Sequence, residues 1–256
     1  AAVAAALVLL SGDAFLGETG TQYADLPVAC YFLASMGLLA MARTSGSPGI
    51  TLALAGAFAS FSAWTKNEGL AFLVVAMLAL AFFKRRTPSA LAWFAAGAAP
   101  VVLMTLFFKL FLAPSSGLPG PDTTFVLSRL AEPGRYWQVA AAFIVYAIAF
   151  GQPWAHPVLL IAALVFALRP RRDLASAPDP GLPAVIAGGM MAVNFAVFVL
   201  GSHNLEWQLS TAMQRLYVQI WPSAVFAVFL LLRTPEDHAI SLEPAARAKE
   251  PKPKRK

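Results

Sequence analysis

Two apolar runs, residues 50–63 and 70–83, are separated only by Trp64-Thr65-Lys66-Asn67-Glu68-Gly69. Each run approaches the length that crosses a bilayer as a helix, so the short polar break predicts a helical hairpin with its tip at a membrane surface. Lys66 and Glu68 at that tip are costly beside lipid unless they pair or act on a ligand. The plainer reading is a solvated turn holding a local ion pair.

Composition fixes the class. Hydrophobic residues make up 59% of the chain and charged residues 12%, whereas soluble domains carry about 25% charged residues. A chain of 256 residues cannot hide that much apolar surface in a water-soluble core. The expected fold is therefore all-α, a polytopic transmembrane protein. Cys30 is the single cysteine, which excludes an internal disulfide and a cysteine-rich metal site. It lies in an apolar run and reads as packing.

The apolar runs predict about seven full spans plus a partial first span. The partial span is 1–11, and the full ones are 26–42, 50–64, 69–83, 89–112, 154–168, 183–201 and 221–232. The first run is too short to cross a bilayer, and reads as the back half of a spanning helix with more chain upstream. Residues 1–232 are expected to form one transmembrane domain. Residues 233–256, rich in Pro, Ala and Lys, read as a disordered basic cytoplasmic tail.

Positive charge orients the spans. Placing Lys84-Arg85-Arg86, Arg169-Pro170-Arg171-Arg172 and the tail on the cytoplasmic side puts 14 of the 19 basic residues there. Seven of the 13 acids fall outside. Under this layout residues 136–153, although apolar, do not cross. They are expected to lie in the outer interface or re-enter, with Tyr136, Trp137 and Trp154 as anchors. The basic balance thus reflects membrane orientation. It does not indicate nucleic acid, because the basic tail has no interleaved aromatics.

The polar stretches 12–25, 64–69, 113–137 and 202–222 then share the outer face. Asp25 precedes Leu26-Pro27, a normal helix N-cap arrangement. Its functional reading is a carboxylate facing a cavity, able to act as a base, hold a metal or position a hydroxyl. Asp13 and Glu18 in the same loop are weaker candidates. Asn204, Gln208, Thr211, Arg215 and Gln219 recur at helical spacing, with an apolar face beside them at Leu205, Leu209, Ala212, Leu216 and Ile220. This predicts an amphipathic interfacial helix leading into a last span at Pro222. Arg215, the only cation on it, offers a fork suited to phosphate, against the plainer role of snorkelling to headgroups. His203 opens the same segment and is a further candidate, although a lone histidine is usually structural. Arg129, Glu132 and Arg135 read as a salt-bridged surface face. No Gly-rich loop supports a soluble nucleotide donor.

Tyr23-Ala24-Asp25-Leu26-Pro27, Trp64-Thr65-Lys66-Asn67-Glu68-Gly69 and Gln208 to Pro222 occur in this order on one expected face. With these stretches the chain resembles bacterial members of the GT-C superfamily of membrane glycosyltransferases. Within it, the likeness is to the group of protein O-mannosyltransferases and lipid A aminoarabinose transferases. The resemblance implies a GT-C-like fold in a bacterial plasma (inner) membrane, with the active side outward. It also implies transfer of a sugar from a polyprenyl-phosphate carrier to a glycan, lipid or protein acceptor. Asp25 would match a catalytic acid of a later outer loop. Lys66 would match a lysine near the carrier phosphate, with Asn67-Glu68 interposed before Gly69. Glu68, Arg215 and His203 complete the substrate-binding set. The family's hallmark acid lies in a first outer loop, for which this sequence has no counterpart. No cofactor is evident, and a divalent cation is the one the acidic candidate admits.

Two other classes compete. A transporter or flippase would use Lys66, Glu68 and Arg215 as a path for a lipid-linked or anionic substrate. Charges at span ends and the absence of a repeat argue against it. A non-catalytic membrane subunit of an envelope-assembly complex would carry the same polar groups for packing or docking.

Overall fold

The computed structural model describes residues 2–21, 23–84, 87–113, 123–150, 156–171, 179–202 and 204–233. These residues are helical throughout, apart from their connections and an isolated bridge between Pro170 and Leu232. The helices are α1 (Ala2–Leu10), α2 (Asp13–Thr19), α3 (Asp25–Met41), α4 (Pro48–Thr65), α5 (Asn67–Phe83) and α6 (Pro88–Phe107). They continue with α7 (Thr123–Leu130), α8 (Pro133–Ala149), α9 (Pro157–Leu168), α10 (Gly181–Leu200) and α11 (Leu205–Leu231). α6 runs on through a wider π-helical turn, Phe108–Leu112. The expected tail lies outside the described residues except for Arg233, as does His203.

Among the described residues, three helices are long and apolar enough to cross a membrane: Pro88–Leu112, Gly181–Leu200 and Leu205–Leu231. Asp25–Met41, Asn67–Phe83 and Pro157–Leu168 are apolar but shorter. The outward surface fits lipid. Phe166 is 87% exposed, and Leu110, Phe111, Phe82 and Leu78 are exposed with it. Large apolar side chains exposed on several helices at once suit a lipid surround.

α4 is the hub, packed against α3, α5 and α6. It meets α6 through small residues: a Cβ on Gly56 would overlap the Phe94 carbonyl oxygen, and a Cβ on Gly97 that of Ala53. In a lipid-like setting small residues let backbones approach and gain dispersion contact. The main core gathers Phe32, stacked on Phe72, with Met36, Leu80, Phe94, Ile186 and Met190. α11 closes this core from one side through α3 and α10.

Four expectations are corrected here. First, residues 205–231 form one helix and not an interfacial helix followed by a span. Pro222 sits buried inside it, since a proline removes one helical bond without breaking a packed helix. Second, of the two alternatives for 136–153, the interfacial one does not hold for its described residues 136–150. Its helix α8 packs lengthwise on α10 and α11, with Val139 buried and Phe143 against Phe195, Phe198 and Tyr217. Phe150 reaches Trp221, and the end of α9 meets the end of α11 where Arg171 N–H donates to the Leu231 carbonyl. α8 and α9 therefore follow α11 in the same direction, one after the other. Third, Arg135 is no surface residue. It is 4% exposed and donates to the carbonyls of Phe198 and Gly201. The Arg129–Glu132 pair does form, at 3.0 Å. Fourth, Cys30 is exposed and does not pack in the core.

Candidate functional site

The polar break between the two apolar runs folds as an abrupt corner. Lys66 is the extended residue between α4 and α5, with φ −152° and ψ 158°. Its N–H still bonds the Ser62 carbonyl, and its carbonyl accepts from Gly69 N–H, so both backbone groups of Lys66 are paired within the corner. Gly69 is required for this: a Cβ there would overlap Ser62's carbonyl. Its own carbonyl accepts from Ser62 Oγ at 3.3 Å. The corner aims the Lys66 side chain back across the bundle end towards α3.

Asp25 begins α3 but does not cap it. The helix has Ala24 at its N-cap and no side-chain cap bond, so the capping reading fails. The carboxylate is 1% exposed and turns inward. Its Oδ1 accepts from Lys66 Nζ at 2.7 Å and also from Gln219 Nε2. Its Oδ2 accepts from Arg215 Nε at 2.8 Å. One acid thus ties α3 to the α4–α5 corner and to α11. A buried carboxylate needs this many charge-assisted donors to offset its lost hydration.

The cations are less enclosed than the acid. The side chains of Lys66 and Arg215 are 19% and 31% exposed. Asp25 engages only Nε of the guanidinium, and among the described residues its terminal amino groups remain as donors for a ligand. The guanidinium carbon lies over the Tyr23 ring, 4.2 Å from its centroid, a cation–π contact. Glu68 Oε1 is 3.6 Å from Lys66 Nζ. At that distance it adds to the field without a hydrogen bond. Lys109 Nζ donates to Asn67 Oδ1 at 3.2 Å, which brings a third cation beside the corner.

The structure therefore gathers Asp25, Lys66, Glu68 and Arg215 at one end of the bundle. Gln219 joins them as a direct donor, although sequence spacing marked it only as one member of a polar stripe. That stripe does not face water as a whole. Gln219 is buried on Asp25, and Asn204 is the cap of α11, accepting from Trp207 N–H at 3.1 Å. The apolar face beside the stripe packs as expected, Leu205, Leu209, Ala212 and Leu216 against α8 and α10. Asp13 is exposed, and Glu18 accepts from Thr21 Oγ1 at 2.9 Å.

A divalent cation does not fit this cluster. Both Asp25 oxygens are taken by donors, two of them cationic. No group of three or more His, Cys, Asp or Glu side chains that could hold a metal gathers among the described residues. What the arrangement can do is present a fixed ammonium and a fixed guanidinium to an anion.

Set against known protein families, curated proteins and solved structures, the chain matches none of them.

Proposed function

We propose that the chain is the membrane part of a transferase that takes a sugar from a polyprenyl-phosphate carrier at the outer face of a bacterial plasma membrane. The observation that carries this reading is Asp25 holding Lys66 and Arg215 at 2.7 and 2.8 Å while both cations keep exposed surface. Cleaving a sugar–phosphate bond leaves negative charge on the phosphate, which prefixed cations stabilise without reorganising. Asp25 acts here as the positioning residue. Glu68, 33% exposed, is the nearby carboxylate with room to receive a proton from an acceptor hydroxyl.

The wider architecture supports the same placement. With three long apolar helices and further shorter ones, the chain is read as a multi-pass protein with a GT-C-like arrangement. The basic residues Arg43, Lys84 and Arg169 lie at the end away from Asp25, as expected for a cytoplasmic side. The α8–α9 pair makes one descent, which keeps Arg169 on that side.

One observation favours a second reading. Asp25 is wholly engaged, as in a clamp whose only task is to hold helices together. That would suit a non-catalytic membrane subunit.

Binding of a polyprenyl monophosphate to the full-length protein in nanodiscs separates the two. Lys66→Ala and Arg215→Ala should each weaken binding about 10- to 100-fold, the effect of one charge-assisted phosphate contact. Sugar transfer should fall with it. Undiminished binding by both folded variants would remove the transferase reading and leave the clamp.

A further inference from the structure

The end of the bundle opposite Asp25 carries a crevice of about 270 Å³, where α3 and α5 end and α4, α6 and α10 begin. Its floor is apolar, with Leu52 and Leu80 buried. Its rim is polar, formed by Arg43, Lys84, Thr87 and Ser89. Trp93 forms one wall, packed so tightly on Gly49 that a Cβ there would lie 2.7 Å from the indole. A polar rim above an apolar floor matches an amphiphile, not a free ion.

The charge balance selects an anion. Among the described residues, two cations line the crevice against one acid, Asp179. That acid is already committed, its Oδ1 accepting from Gly181 N–H at 3.0 Å. Lys84 is half-buried, and no described residue pairs with its ammonium. Thr87 N–H donates to the Lys84 carbonyl at 2.7 Å, so that carbonyl does not compete for the ammonium. The starts of α4 and α6 add the positive ends of two helix dipoles.

The surroundings select a lipid. The half-exposed Trp93 lines the crevice, and Met41, Ile50 and Phe83, each next in sequence to a lining residue, are exposed apolar side chains at the helix ends that form an apolar collar. Tryptophan with an apolar body and an N–H tip is the side chain of a membrane boundary. A ligand entering past that collar comes from the bilayer. We propose that this crevice binds the phosphate headgroup of an anionic phospholipid, with Lys84 as the main counter-charge and the leucine floor under the glycerol and first methylenes.

The test uses the full chain extracted from vesicles of equal phosphatidylglycerol and phosphatidylcholine, with retained lipid counted by native mass spectrometry. The wild type should keep phosphatidylglycerol in preference. Lys84→Ala should lose about fivefold of that preference, the effect of one lysine at an anionic surface. Lys84→Gln, which keeps the packing of the stem, should lose as much, and Lys84→Arg should retain it. Arg129→Ala removes the same charge at the other end and should change nothing. Equal retention of the two lipids, or an unchanged preference in Lys84→Gln, overturns the proposal. So does millimolar inorganic phosphate raising the melting temperature of the wild type, but not of Lys84→Gln, as much as phosphatidylglycerol does, since the site would then be one for free phosphate.

Discussion

Arg135 donates to the Phe198 carbonyl oxygen from Nε at 3.1 Å and from Nη2 at 2.9 Å. Nη2 also reaches the Gly201 carbonyl at 2.9 Å. The last carbonyls of α10 have no helical partner of their own, and a planar cationic fork from α8 satisfies that of Phe198 and that of the C-cap residue Gly201. Arg135→Ala should therefore cost about 2–3 kcal/mol, the range for charged hydrogen bonds to buried groups. Arg135→Lys should recover only part, because an ammonium cannot reproduce the fork. Thermal unfolding in detergent reads both, and a wild-type profile for the alanine variant would contradict the capping role.

Asp25→Ala should be more damaging. It leaves Lys66, Arg215 and Gln219 without their shared acceptor, and breaking a buried ion pair costs about 3–5 kcal/mol. The lower end applies, because both cations reach solvent. Asp25→Asn should fall between, keeping an acceptor for Lys66 but opposing an amide to Arg215. In a double-mutant cycle, Lys66→Ala and Arg215→Ala should each cost less in an Asp25→Ala background. Full additivity would show that the carboxylate does not couple them.

Gly97→Leu should separate α4 from α6, because even a Cβ at this position overlaps the Ala53 carbonyl. Overpacking of this kind costs about 1–3 kcal/mol, and more where backbone must move. A melting temperature equal to wild type would mean that the two helices do not cross there.

The two ends of the bundle should label from opposite sides of the membrane. Cys30 is exposed and must first become serine. Single cysteines at positions 43 and 66 then report the ends, and an impermeant maleimide on intact cells should reach 66 and not 43. The reverse pattern would invert the proposed topology.

The helical class was legible because apolar runs of near-spanning length leave the backbone no other way to satisfy itself. The common end of Asp25, Lys66 and Arg215 was legible too, because each adjoins the edge of an apolar run. Which groups touch was not. Asp25 before Leu26-Pro27 has the local signature of a cap, and only the approach of α11 from far along the chain supplies it with better donors. Arg135 was misread for the same reason. Its spacing from Glu132 looks like a surface pair, and its burial depends on where α10 ends. Pro222 looks like a boundary in sequence, yet packing on both sides carries one helix through it.

The contacts of Asp25 also imply an order of assembly. Its two cationic partners lie 41 and 190 positions further along the chain. During synthesis Lys66 arrives first and can neutralise the acid before α6 and the later helices are made. Arg215 and Gln219 emerge far later, after α10, and dock on a carboxylate already held by one partner. In the order of synthesis, the hairpin corner at Lys66 can therefore form before α11 is there to be seated on it.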